Sequence, residues 1–368
     1  MTQPTVPPVL PADIRDFIRQ VKHNCNVSDA KFWGSYSICG LLMRYRELYR
    51  QEHSLRPWDD IGSKEITCWI QERETLWGEI EDLELQELVI NGRSYDPFDV
   101  GGVNAELEGA GILYGCGYGA FNKPTFFVAI LDSAKDLFDY RVLAVGKELC
   151  RDIAAAPAML QGRCIYVRRE VIWQFIWDRF QELRSNPYCG PSAMMFSHFG
   201  IGRTDEASSG LYEKIGGLAA GAADVFVMHE VGEAYEDAGD EDWREMLLEG
   251  CDKATELFLR GIKDIRADTS PYGPLKRIIN DRDLPQLSIF AAFMDGIRRE
   301  IFPELRSVME RFLEGEEWSL IESARVVGYQ RTELLQRELV RRWQEHRDVA
   351  DLAQYIRDTF PRPGKRTK

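Results

Sequence analysis

Three residues within five positions carry the side chains best suited to chemistry in this sequence. His229, Glu230 and Glu233 lie in VFVMHEVGEAYEDAGDED, residues 225–242. On a helix, His229 and Glu233 are one turn apart on the same face, where an imidazole nitrogen and a carboxylate oxygen can bind one divalent ion. We therefore predict His229 and Glu233 as metal ligands. Glu230, about 100° round the helix, is the predicted general base.

The polarity of this stretch changes at the histidine. Residues 222–228 are mostly apolar, whereas residues 229–249 contain nine acids and a single base, Arg244. Glu236 and Asp240 continue the stripe of His229 at helical spacing. A metal-binding side chain at such a boundary is partly desolvated but still accessible to an ion from the solvent. Two other interpretations remain open: a solvated acidic helix with one boundary histidine, and a metal-free acid/base pair.

The letters HEVGE resemble the zinc-peptidase helix motif H-E-x-x-H over five residues. His229 and Glu230 match its first histidine and its glutamate, whereas Glu233 replaces its second histidine. The resemblance implies a zinc site with the glutamate as base. A carboxylate ligand also suits iron or manganese. His198, in the apolar run MMFSHFGIG, is the predicted third ligand, with Glu256 as the acidic alternative.

Other motifs have a structural interpretation. The run GCGYG, residues 115–119, lacks GxxxxGK[ST] and precedes no helix start, so it predicts a bulged or tightly packed strand, and no nucleotide cofactor is indicated. The sequence has no Glu-x-x-His, the signature of a di-metal carboxylate bundle. Arg44, Arg46 and Arg50 are suited to clamp a phosphate or carboxylate. Their alternative role is to pair with Glu47 and with the acidic residues 72–87.

The charge balance narrows the class of partner. The chain has 368 residues and a formal net charge of −14. Binding to nucleic acid or to anionic lipid depends on Lys and Arg, so we expect neither partner. No apolar run is long enough to predict a membrane span. The start MTQPTVPPVLPADI lacks the regions of a signal peptide, and the eight cysteines form no CxxC pair, so we expect a cytoplasmic protein with reduced thiols.

Hydrophobic periodicity divides the chain into three parts. Residues 1–90 predict a helical N-terminal part, in which Asp29 caps a helix that runs to about residue 53. Residues 91–190 predict a small sheet with mostly antiparallel neighbours, followed by an amphipathic helix from Arg168. Residues 191–368 predict a helical C-terminal region. The predicted fold class is α+β: mostly helical, with a small antiparallel sheet inserted between the two helical parts. Its predicted strands are 111–120, 124–131, 140–146 and 162–167.

Two functions from different classes are compatible with these patterns. The first is a metal-dependent, hydrolytic enzyme that acts on a small-molecule substrate through the residues predicted above. The alternative is a non-catalytic assembly or partner-binding protein whose acidic helix docks on a basic protein. The phrases FWGSYSICGLLMRYRELYR and MHEVGEAYED resemble an uncharacterised bacterial family of similar length. That resemblance implies neither an activity nor a site residue.

Overall fold

The computed structural model describes residues 11–186, 190–236, 241–249, 251–294 and 296–360. The fold class is α+β, as predicted, with a small sheet between a helical N-terminal part and a helical C-terminal half. Contacts divide the chain into two compact units, Met1–Pro157 with Gln161–Trp177 and Ala158–Leu160 with Asp178–Lys368. Asp240, the last residue of the predicted acidic stripe, lies outside the described residues.

The first unit contains helices and all but one of the strands of the described chain. Its helices are α1 (Ala12–Phe32), α2 (Ile38–Glu52), α3 (Ser63–Ile80) and α4 (Val100–Glu106). The strands are β1 (Leu88–Ile90), β2 (Arg93–Tyr95), β3 (Ile112–Tyr118), β4 (Pro124–Leu137), β5 (Tyr140–Arg151), β6 (Ala158–Gln161) and β7 (Cys164–Arg168), of which β6 lies almost wholly in the second unit by contacts. Helix α5 (Arg169–Ser185) follows β7 directly.

The larger sheet has five strands in the order β3-β4-β5-β7-β6. The pairs β3–β4 and β4–β5 are antiparallel, whereas β5 and β7 are parallel. The parallel pair arises because the chain leaves β5 for the edge strand β6 and then turns back at Gly162, whose φ of 57° favours glycine. Strand β4 extends beyond its predicted end into exposed residues up to Leu137, and β5 extends beyond its predicted end into largely buried residues up to Arg151. Register shifts between Val128 and Ser133 interrupt the pairing of the two strands.

The glycine-rich run is part of strand β3, as the sequence predicts. A Cβ at Gly115 would overlap the ring of Phe127 on the neighbouring strand β4. The absent side chain therefore lets an aromatic ring lie flat against the backbone. Around it, α1 and β3–β5 enclose a core that includes Phe17, Tyr114 and Phe126.

The predicted single helix from residue 30 to 53 is wrong. Helix α1 ends at Phe32, and α2 begins after Ser37, whose hydroxyl accepts a hydrogen bond from the Gly40 N–H at 3.2 Å. Asp29 lies inside α1 and is not a cap. The sequence GSYS breaks the helix because serine side chains compete for backbone donors.

The described part of the second unit is helical apart from the short segment of β6. Its helices after α5 are α6 (Pro191–His198), α7 (Ser209–Glu236), α8 (Glu241–Leu248), α9 (Lys253–Thr269), α10 (Pro274–Asp281), α11 (Leu284–Phe293), α12 (Gly296–Ile301), α13 (Pro303–Gly315), α14 (Trp318–His346) and α15 (Val349–Thr359). Among the residues that the structure describes, no helix combines the length and apolarity needed to cross a membrane.

Candidate metal centre

Helix α7 carries the predicted site and packs against α9 at very short range. Gly232, between the two predicted acidic residues, faces the backbone of α9: a Cβ there would overlap the carbonyl oxygen of Ala267 and approach Gly273. A glycine at this position is therefore what lets the backbones approach. Apolar residues of α7 such as Val225, Met228 and Val231 are also buried.

The imidazole of His229 is held between two carboxylates. Its Nδ1 lies 2.8 Å from Oδ1 of Asp268 on α9, and its Nε2 lies 3.7 Å from Oε2 of Glu233 on α7. The first distance is a hydrogen bond, whereas the second is too long for one. The His229 side chain keeps 17% exposure, and Asp268 only 4%. The imidazole is thus oriented from the protein interior, with Nε2 on the more accessible side.

The three predicted residues on α7 converge. One ligand atom from each of His229, Glu230 and Glu233 lies within 4.8 Å of the other two. Oε1 of Glu233 pairs with the ammonium of Lys263, which leaves Oε2 directed at His229. The backbone N–H of Leu160 is near enough to the Glu230 carboxyl group to counter part of the burial that raises its pKa. The i, i+1, i+4 spacing predicted from sequence therefore produces a real cluster of donors.

Negative charge dominates this cluster and shifts its ionisation. Burial alone would lower the pKa of His229, but Asp268, Asp264 and Glu230 raise it to about 10. Burial, reinforced by the charge of Glu233, raises the pKa of Glu230 to about 7. Burial also raises the pKa of Asp264. For Glu233, the charges of Lys263 and His229 outweigh burial and lower its pKa. The surroundings therefore favour a cation at this position.

One buried carboxylate oxygen of this group is unmatched. Within the described ranges, Oδ2 of Asp268 has no hydrogen-bond partner, and the Nη1 of Arg298 lies 3.8 Å from it. We call His229, Glu230, Glu233, Asp264 and Asp268 the His229 cluster. An unmatched buried oxygen is costly, and its presence beside a histidine and further carboxylates is typical of a functional site.

The structure does not place the two proposed completing residues in this group. His198 lies exposed at the end of α6, and the three-residue set of ligand atoms found among the described residues does not include it. Its role as a ligand stays a prediction. Glu256 is buried on α9, where its Oε1 accepts from Nε of Arg260 at 2.7 Å.

Sequence reasoning missed the contribution of α9. Asp264, Asp268 and Lys263 lie in IKDIRADT, where an amphipathic helix explains each letter without a site. Their only signal is that Asp264 and Asp268 are four residues apart and share one face. That spacing indicates a site only when α9 is known to pack on α7.

The acidic stretch after His229 is bonded to cations and amides of the same unit. Glu236 accepts from Nε of Arg266 at 2.6 Å and from the Tyr329 hydroxyl at 3.0 Å. On α8, Asp242 accepts from the Gln344 amide at 2.6 Å, and Glu245 from the indole N–H of Trp343 at 3.1 Å. These acids hold α7 and α8 against α9 and α14. Their abundance is therefore explained in part by internal packing.

The fold and cluster define an α+β protein with a histidine–carboxylate site on two packed helices. Its sequence matches the model described as "Family of unknown function (DUF6866) N-terminal domain" over residues 16–168. It matches the corresponding C-terminal domain over residues 173–362, which contains the whole His229 cluster. The chain belongs to this family, which confirms the predicted membership in an uncharacterised family. Comparisons with curated proteins and with solved structures give no match.

Proposed function

We propose that the His229 cluster binds a divalent metal ion and that the chain is a metal-dependent hydrolase with Glu230 as general base. The observation that carries the metal site is the 3.7 Å separation of His229 Nε2 and Glu233 Oε2. It is too long for a hydrogen bond. Two ligands about 2.1 Å from a tetrahedral ion stand about 3.4 Å apart, so an adjustment of a few tenths of an ångström suffices.

The hydrogen bond of His229 supports the same role. When Nδ1–H donates to Asp268, Nε2 is the ring nitrogen left for a ligand bond, and a metal ion would displace the proton that the raised pKa of His229 keeps there. Carboxylates that orient metal-binding histidines in this way are a recurrent arrangement. The proposed ligand pair of one imidazole, His229, and one carboxylate, Glu233, suits zinc, iron or manganese.

The proposed hydrolytic role rests on the position of Glu230. A bound divalent ion acidifies a coordinated water. The Glu230 carboxylate lies close enough to the ligand atoms of His229 and Glu233 that it would accept the proton of such a water. The side chain of Glu233 is less suited to this role, because Lys263 stabilises its charged form.

The alternative of an acidic helix that binds a basic partner has less support. The carboxylates that would form such a surface include Glu233, Glu236 and Glu245, and each is bonded to a group of its own unit. A partner would have to displace these contacts. A metal ion would use atoms that already converge.

Metal analysis of the purified full chain tests the first half of the proposal. We expect about one equivalent of zinc, iron or manganese after reconstitution and desalting, and loss of most of it in His229→Ala. The matched control is His346→Ala, which removes an exposed histidine at the end of α14. His198→Ala tests that residue as the third ligand. Far substoichiometric metal, unchanged by His229→Ala, contradicts the metal site.

Glu230→Gln tests the hydrolytic half separately. On a panel of ester, amide and phosphoester substrates, the variant should retain metal and lose about 10²–10⁴-fold in rate, the usual contribution of a general base. Loss of metal in this variant would make Glu230 a ligand. A metal-loaded wild-type chain that hydrolyses none of the three substrate classes contradicts the hydrolase while leaving the metal site intact.

A further inference from the structure

A second candidate site lies within the first unit and uses residues of opposite character. A cavity of about 200 Å³ lies between α1, the C-terminal end of α2 and strand β5. Its lining includes three cations, Lys22, Lys147 and Arg151, and the carboxylates of Glu52 and Glu148. Its volume admits several waters, or a small polar molecule.

The buried guanidinium of Arg151 is incompletely matched. Its Nε lies 3.3 Å from Oε2 of Glu148, whose other oxygen is taken by Nε of Arg168 at 2.5 Å. The next carboxylate, Glu47, is 4.0 Å from Nη2 of Arg151 and already pairs with Arg44 at 2.9 Å. In the part of the chain that the structure describes, Nη1 of Arg151 has no hydrogen-bond partner. The residue is only 7% exposed.

The guanidinium of Arg168, also buried, is stabilised in a different way. Its Nη2 also has no hydrogen-bond partner among the described residues, but its guanidinium lies over the ring of Phe127, 4.5 Å from the centroid. That cation–π contact offsets part of its charge. No aromatic contact of this kind is found for Arg151 in the described chain, so the unmatched positive charge is concentrated on the residue that lines the cavity.

Positive charge exceeds negative charge around the cavity. Glu52 serves two cations, with Arg73 at 2.7 Å and Lys22 at 3.1 Å, and Glu148 serves two more. Lys147 donates to the neutral hydroxyl of Ser54 at 3.0 Å. In the lining itself, two carboxylates, Glu52 and Glu148, face three cations, Lys22, Lys147 and Arg151, and both carboxylates also pair with an arginine outside the lining. Buried charge of one sign needs a counter-ion.

We infer that this cavity binds a small oxyanion, a phosphate or carboxylate group, between Lys22, Lys147 and Arg151. Guanidinium and ammonium groups are the usual ligands of such anions. Two of the three arginines of RYRELYRQEH that the sequence suggested for this task have other partners: Arg44 binds Glu47, and Arg50 donates to the carbonyl oxygen of Asp59. The site is independent of the proposed metal centre, whose residues belong to the other unit.

Calorimetric titration of the full chain with inorganic phosphate, at constant ionic strength set with chloride, tests the inference. We expect saturable binding that is about tenfold or more weaker in Lys147→Met, the loss expected for one hydrogen bond to a charged group. Lys135→Met, which removes an exposed lysine of β4, is the matched control and should bind as the wild type does. A parallel titration with malonate separates the two sources: preference for phosphate or for malonate identifies the group.

Arg151→Gln should abolish binding if the variant folds. Because Arg151 is buried, Lys22→Met, at a side chain that is 45% exposed, provides a second variant that is expected to fold and to weaken binding. No saturable binding of either anion overturns the inference. Equal affinity in the wild type, Lys147→Met and Lys22→Met overturns it as well.

Discussion

Two buried clusters of ionisable side chains, one in each unit, differ in how completely their polar atoms are matched. The first, here the Lys123 cluster, comprises Lys123, Asp29 and Asp152. The Lys123 ammonium lies 2.9 Å from Asp29, 3.2 Å from Asp152 and 2.9 Å from the Ser28 hydroxyl. Each of the three cluster residues is at most 2% exposed. Ions this deep are stable only where bonds replace the lost water.

Every carboxylate oxygen of the Lys123 cluster has a donor. Asp152 accepts from Thr125 at 2.6 Å and from the N–H groups of Phe126 and Ala154 at 2.7 and 2.6 Å. Both oxygens of Asp29 face the Ile153 N–H, at 3.2 and 3.1 Å. The cluster ties α1 to β4 and to the end of β5, and it leaves no atom for a ligand.

The His229 cluster is matched less completely. Oδ2 of Asp268 has no hydrogen-bond partner among the described residues, and Nε2 of His229 faces Glu233 across a distance too long for a hydrogen bond. It also retains some exposure, whereas the Lys123 cluster has almost none. The difference teaches that burial of charge alone does not mark a functional site. A better indicator is an unmatched buried atom in a cluster that also holds converging ligand atoms, as those of His229, Glu230 and Glu233 converge.

The largest expected effect is on the stability that the Lys123 cluster gives to the fold. Lys123→Met leaves two buried carboxylates without their cation and should lower the free energy of unfolding by about 3–5 kcal/mol. Urea denaturation measures it, with Lys135→Met as control, expected within about 0.5 kcal/mol of wild type. A loss below about 1 kcal/mol for Lys123→Met would mean that the cluster is not a structural tie.

A ligand bound at the His229 cluster should instead stabilise the folded protein. A divalent metal ion at about 100 times its dissociation constant should raise the free energy of unfolding by about 2.7 kcal/mol. Thermal unfolding with and without zinc or manganese measures this. Since the stabilisation comes from the cluster, it should vanish in His229→Ala. An equal gain in that variant would place the metal elsewhere.

A smaller effect is expected from the residue that orients the imidazole. Asp268→Asn keeps the size of the side chain but removes the charge that holds Nδ1–H, and it should weaken metal binding about 10–100-fold. Competition with a chelating dye measures the affinity. Asp281→Asn, at an exposed position of α10, should leave it unchanged. Unaltered affinity in Asp268→Asn would show that Asp268 only packs beside the histidine.

The smallest effect on stability is expected at Glu236, which lies on α7 just outside the His229 cluster. Glu236→Gln removes one charge from the contact with Arg266 but keeps an acceptor for Tyr329, so it should cost about 1 kcal/mol or less. Metal affinity should not change, because Glu236 lies outside the His229 cluster. A parallel loss of metal would extend the cluster by one helical turn.

The sequence predicted local structure and the local half of the site. The described part of the predicted helical region 191–368 is indeed helical, and α10 and α15 begin at start signals that the sequence displays, Pro274 and the capping residue Asp348. His229, Glu230 and Glu233 converge because their spacing on one helix fixes their directions. The strands β1 and β2 are not among the predicted strands, because each has only three residues, too few for a period to emerge.

Contacts between distant segments were beyond sequence reasoning. Asp29 has the pattern of a helix cap, and its true partners, Lys123 and the Ile153 N–H, are supplied by the sheet. Asp268 is likewise delivered to His229 by α9. In each case the role of the aspartate is decided by contacts with residues far away in the sequence, and no single window of sequence contains both partners.

The placement of three donors within five residues of α7 has a consequence for folding. A helix forms in about a microsecond or less, whereas packing of helices takes longer. His229, Glu230 and Glu233 therefore share a face as soon as α7 is helical, before Asp268 and Lys263 arrive with α9. In the proposed metal site, the order of assembly would separate two steps in time: α7 alone would present its three side chains to an ion, and docking of α9 would then orient the imidazole through Asp268.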